Sequence, residues 1–308
     1  MPLSAFRLGG GSPLSSHPHL HRLPPLHRWW AAGARNPRTT ATALVLIVCV
    51  AAPAAYLALA KRSLGSRTEA RPARVRSFRP GSAEGDGGEG ILTGTLVPVP
   101  DEVMTREADA GVVVAREAVS SRPFPVASLK PEFVRRRSGP GLGLDAGADA
   151  EVSEVDKDAM VSAFLRTSMR LFTRTPQAAL MRRLMPPGEE SFEAPYLDAC
   201  GFAVGDRVCG VYVVAERRAA DGAAVLRLSP PEGWSGPMPE GAIAVAVVAG
   251  DRDGGKGDGG RELRFVNETL LWRRADAAPT VLESRVGAWL HELMIRWFVV
   301  RAVAAVTV

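Results

Sequence analysis

No aspartate or glutamate occurs in the first 68 residues of this chain, and its 308 residues hold only three cysteines and five histidines. Each scarcity closes off a class of function. Cys49 falls in an apolar run, which leaves Cys200 and Cys209 for any folded region. Two cysteines do not make a disulfide scaffold, and no CxxC pair offers metal-ligand spacing. The two thiols are expected buried and reduced, with a bridge as the alternative. His17, His19, His21 and His27 lie among six prolines in residues 1–38. Such sequence holds no fixed coordination geometry and reads as a disordered tail. His291 is then the one histidine left for chemistry in a fold. His291-Glu292 opens like a zinc-protease helix, but Ile295 stands where the second histidine is needed. A GxSxG elbow is missing too, which excludes the usual hydrolase nucleophile.

Other patterns fail in the same way. The glycines at 139, 141 and 143 lack the strand, the helix and the Lys-Ser/Thr of a phosphate loop. Asp251, Asp253 and Glu262 sit at calcium-loop positions, but Lys256 occupies the place that requires glycine. No motif implies a cofactor or a metal. The net charge of +5 does not imply nucleic acid either. Eight bases crowd the acid-free first 68 residues, and beyond them acids outnumber bases, so no basic face on a folded domain is expected.

What the chain does have is one bare apolar stretch. Thr39–Ala60 runs 22 residues without a charge, long enough at 1.5 Å per residue to span about 33 Å of bilayer. Thr39, Leu44, Ile47, Pro53, Tyr56 and Ala60 belong to it, and a proline is tolerated in a membrane span. Trp29 and Trp30 sit where an interfacial anchor is useful. The basic flank 61–79 suits anionic headgroups and a cytoplasmic C-terminal side. The expectation is a single-pass membrane protein of the mitochondrial inner membrane or the endomembrane system.

The 31 glycines and 24 prolines crowd the first half of the chain. The expected organisation is a disordered tail over 1–38, a transmembrane helix over 39–60, a disordered linker over 61–110 and a globular domain over 111–308, with a flexible loop at 138–152. Val112–Val119 is the first candidate strand. Ser153 and Asp156 approximate a capping box, after which Met160, Val161, Phe164, Leu165, Ser168, Leu171 and Phe172 recur at helical spacing. Thr175-Pro176 starts a second helix over Gln177–Met185. Strands follow at Arg207–Arg217, Ala223–Ser229, Ala242–Ala249 (central, being apolar on both sides) and Glu262–Arg273. From Val281 to Val303 the period turns helical, with Leu282, Val286, Trp289, Leu293, Trp297, Val300 and Ala304 as the apolar stripe. Trp289 and Trp297 share that stripe as core residues would, and Trp234 and Trp272 read as packing residues.

The fold class is therefore α+β: an antiparallel sheet of about four or five strands, two short helices and a long C-terminal helix packed on it. This element order resembles the helix-grip layout of lipid-transfer and cyclase-like domains, which implies a sheet bent round the last helix and a cavity between them. The segments GDRVCGVYVV, FVNETLLWRR and AWLHELM resemble uncharacterised proteins of filamentous fungi across residues 155–308, a resemblance that carries no function.

Asn267 is the most telling polar residue. By the two-residue period it shares a strand face with Leu263, Phe265, Thr269 and Leu271, as a hydrogen-bonded core amide or as a pocket wall. Asn267, Tyr212, Phe265, Trp289 and His291 are the candidate pocket residues. The function expected is a membrane-tethered, non-enzymatic domain that binds a hydrophobic small molecule or a partner protein. The alternative is a cyclase- or hydrolase-type enzyme using Asn267, Glu268, Tyr212 or His291, which requires those groups to converge.

Overall fold

The computed structural model describes residues 52–78, 96–97, 111–135, 154–236, 240–249 and 261–308. The expected tail 1–38, membrane residues 39–51 and the loop 138–152 lie outside them. The chain divides into two units, Met1–Ala58 and Leu59–Val308, and the folded domain is the second.

Helix α1 (Ala52–Gly65) takes up the end of the expected membrane segment and continues past it. No helix among the described residues is long and apolar enough to cross a membrane. The helix stops in a tight turn, where the N–H groups of Ser66 and Arg67 bond the Arg62 and Leu64 carbonyls at 3.2 and 3.0 Å. Strand β1 (Thr68–Phe78) begins directly after it. The linker expected from residue 61 does not hold over residues 61–78, which are helix, turn and strand, and most of its remainder lies outside the described residues. Charge and a proline argued against a strand here, but β1 is an edge strand, where arginines and prolines are tolerated. Pro72 lies at the bulge between Arg71 and Arg74 where the pairing register shifts.

The domain then runs β2 (Val112–Ser121), β3 (Phe124–Pro125), β4 (Val134–Arg135), β5 (Glu154–Val155), α2 (Lys157–Phe172), α3 (Pro176–Leu184), α4 (Ala194–Ala199), β6 (Arg207–Val208), β7 (Tyr212–Arg218), β8 (Ala223–Leu228), β9 (Glu240–Ala249), β10 (Glu262–Arg274) and α5 (Arg285–Val306). The main sheet is antiparallel throughout and eight-stranded, wider than the four or five strands expected. Its order is β1-β2-β10-β9-β8-β7-β6, with β3 paired to β10. One run read as a single strand, Arg207–Arg217, is a hairpin: Cys209 and Gly210 at φ 47 and 74 turn β6 back on β7.

Helices α2 and α5 cover one face of the sheet, α2 over β8 and β9, α5 over β1, β2 and β10. Asp156 rather than Ser153 caps α2, accepting from the Ala159 N–H at 3.0 Å. Below lies the main core, with the Phe265 ring 5.0 Å from Phe164 and 5.8 Å from Phe124.

Helix α5 overturns the face assigned to it from sequence. Ile295, Phe298, Val299, Ala302 and Val306 are buried against the domain, whereas Val286, Leu290 and Trp297 are 70, 48 and 36% exposed. The helix carries two apolar stripes. Spacing alone cannot tell which one meets the sheet: of the residues read as the core stripe Leu282, ahead of the helix, is buried, Trp289, Leu293 and Val300 are half-buried, and Val286, Trp297 and Ala304 are exposed.

Candidate functional site

On β10 the alternation places Leu263, Phe265, Asn267, Thr269 and Leu271 toward the helices. Asn267 stands opposite Val119 of β2 and Val245 of β9; Thr269 stands opposite Glu117 and Ile243. From α5, the ring Nδ1 of His291 is hydrogen-bonded to Glu117 Oε2. With the carboxylate ionised, Nδ1–H donates to it. Glu117 has only 2% of its side chain exposed.

His291 of this pair lines a small pocket of about 40 Å³ between α2, α5 and the sheet. Ser168, Tyr212, Asn267 and His291 line it, with Met169, Phe172, Ile243, Met294 and Phe298 supplying apolar walls. The Tyr212 ring stands edge-on to Phe172 at 5.9 Å, and full burial pushes its phenol above the ordinary tyrosine range. Two buried oxygens of the pocket lining, Ser168 Oγ and Asn267 Oδ1, have no hydrogen-bond partner, nor do Glu117 Oε1 and Thr269 Oγ1 on the same sheet face. Unpaired buried acceptors cost ~1–3 kcal/mol each, and a space of this size admits about three waters. It does not admit a hydrophobic ligand, for which pockets run to ~300 Å³ or more.

Of the five pocket residues expected, Asn267, Tyr212 and His291 come together. Phe265 is sealed in the core beside Phe164. Trp289 sits half-buried on the outer flank of α5, with Lys61 Nζ 5.6 Å from its ring centre. Sequence reading missed Glu117, although the alternation of Val113, Ala115 and Val119 already aims it inward. A wider hollow of about 770 Å³ lies at residues 154–159, 219–220 and 261–263. It opens to solvent beside segments outside the described residues, and none of the expected site residues reaches it.

Glu268 points to the other face. Its Oε1 lies 2.6 Å from Arg116 Nε, with 5 and 10% of the two side chains exposed, but the alignment is not that of a hydrogen bond. Glu268 Oε2 accepts from the Leu96 N–H at 2.9 Å, Arg116 donates to the Val97 carbonyl, and Arg218 donates to the Leu96 carbonyl at 3.1 Å. Residues 96–97 are thereby strapped over a small apolar cluster that includes Val114, Leu270 and Trp272. Burial pushes the Glu268 carboxyl up, against the pull of the Leu96 amide and Arg116.

No family model, curated protein or solved structure matches this chain. Among the described residues no group of three His, Cys, Asp or Glu side chains can hold a metal ion. Cys200 and Cys209 are free and buried, and burial pushes the Cys209 thiol up to about 12. The arrangement orients one imidazole with a carboxylate and gathers hydroxyl and amide oxygens around a water-sized space.

Proposed function

We propose that this chain is a single-pass membrane protein whose folded domain acts by binding, with the outward face of α5 as the docking surface for a partner protein. The span is Thr39–Ala60, and the exposed bases Arg62, Arg67, Arg71 and Arg74 after it rest against anionic headgroups. The observation that carries the docking surface is the apolar outer stripe of α5. Single exposed apolar residues such as Leu180 and Val204 are ordinary, but a row of them along one helix is the mark of an interaction site. The pocket beside His291 is too small for a hydrophobic ligand, which favours the partner-protein half of the expected function. The membrane is the mitochondrial inner membrane or one of the endomembrane system. Alkaline carbonate extraction, with protease protection on isolated organelles, tests tether and compartment together, and release of the full chain into the carbonate supernatant refutes the tether.

A second reading has one observation in its favour. The Glu117–His291 pair beside Asn267, Ser168 and Tyr212 is the geometry of a general base with polar orienting groups. On that reading His291→Gln abolishes turnover of a small substrate while the fold survives. On the docking reading it leaves partner capture intact.

A further inference from the structure

We infer that the partner docked on α5 presents a helix whose apolar seam is bordered by acidic side chains; this rests on the proposal that the outer face of α5 receives a protein. Val286, Leu290, Leu293, Trp297, Val300 and Ala304 alternate intervals of four and three residues. That is the a/d spacing of a two-helix seam, sustained for more than two heptads. At 100° per residue the six positions fall within about 80° of the helix circumference. A stripe so narrow fits the ridge of one other helix, whereas a helix lying in a lipid interface exposes a broader apolar face. The opposite side of α5 is already committed to the domain, so the seam is an additional contact surface.

The border of the seam decides what kind of helix fits. Arg285 and Arg301 are exposed on α5. Arg170 of α2, paired with Asp198 at 3.0 Å, and the exposed Arg174 just after that helix join Arg301 and Ala304 around a shallow surface hollow. The single acid of α5, Glu292, is occupied by Arg296 at 2.8 Å and Lys61 at 3.7 Å. The seam is thus edged by cations with no free carboxylate on the helix to balance them. A second copy of this chain fits poorly. In a parallel pair, Arg301 of each copy faces Arg296 of the other across the seam, and because Arg296 is already held by Glu292 at 2.8 Å that meeting offers Arg301 no partner. Glutamate or aspartate at those positions of another helix complements them.

The test uses the full chain in zwitterionic nanodiscs and two fluorescent three-heptad peptides, each with leucine at a and d. One carries glutamate at e and g, the other lysine. Anisotropy is expected to show the glutamate helix binding at least about tenfold tighter. Leu290→Gln should abolish binding and Arg301→Glu should remove the preference, while Leu180→Gln on α3, also exposed, changes nothing. Unchanged melting curves show that these surface variants still fold. Equal binding of both peptides, or none, overturns the inference, as do chain-to-chain cross-links from Leu290→Cys. Photo-crosslinking in cells from benzoylphenylalanine at position 290 separates the two levels. Protein adducts without glutamate-helix binding sink the helix alone. Lipid adducts only, or none, sink the docking surface as well.

Discussion

Removing the charge of Glu268 should cost this domain more than any substitution on its surface. The carboxylate and its partner Arg116 are 4 and 8% exposed and 2.6 Å apart, so Glu268→Gln leaves a guanidinium in the interior with nothing to neutralise it. Breaking a buried pair from one side costs ~3–5 kcal/mol. For a domain of this size that lowers Tm by about 6–20 °C. The strap adds a local signature. The Leu96 N–H bonds the same carboxylate, so its exchange with deuterium should accelerate far more than that of strand amides in β9. The double variant Arg116→Met/Glu268→Leu discriminates between causes. With both charges gone there is no stranded ion, and the domain should melt above the single variant, within about 2 kcal/mol of the parent. Thermal unfolding of the full chain in detergent, followed by circular dichroism, reads all three. A double variant no more stable than Glu268→Gln would refute the reasoning, because the loss would then lie in the strap's hydrogen bonds and not in the unpaired charge.

Three further outcomes follow from the geometry. Glu283 is held down to about 2 from its usual 4.5, chiefly by hydrogen bonds from the Arg273 guanidinium; its contribution to stability is present above 4.5 and lost as pH falls toward 2, so the denaturant midpoints of wild type and Glu283→Gln should converge across that window. Ser168→Ala removes a buried hydroxyl that has no partner and should leave stability unchanged or raise it by about 1 kcal/mol; a drop of that size in chemical denaturation would show the hydroxyl bonded through water. Cys200 and Cys209, both buried thiols, should resist iodoacetamide in the native chain and both label after unfolding without reductant, as read by peptide mass spectrometry; a pair that labels only after reduction would show a bridge.

Where a segment has a single apolar face, its place was legible from sequence. The stripe Met160, Phe164, Leu165, Phe172 is buried in α2, Thr175 caps α3 by accepting from the Ala178 N–H, and β9, apolar on both sides, lies inside the sheet. Legibility failed where two physical answers share one pattern. Helix α5 has apolar residues on opposite sides, and only the sheet decides which side is core. The bend at Cys209–Gly210 hides inside a continuous β-rich run, because the positive φ there falls on a cysteine as well as on a glycine. Strand β1 was hidden by its own arginines, since an edge strand needs no apolar alternation. At the candidate site, Asn267 was found because an amide among apolar residues on one strand face is conspicuous. Glu117 escaped because adjacent opposite charges such as Arg116 and Glu117 are the ordinary pattern of a solvated surface, whereas here they face opposite sides of the sheet, each with a counterpart of its own.

A helix that is greasy on both sides ties the fate of this chain to supply. On the proposal that a partner protein caps α5, copies made in excess of it leave Val286, Leu290 and Trp297 wetted, and such surfaces are what chaperones and proteases grip. The steady-state amount of the protein should then follow that of its companion, falling when the companion is depleted even though transcription is unchanged.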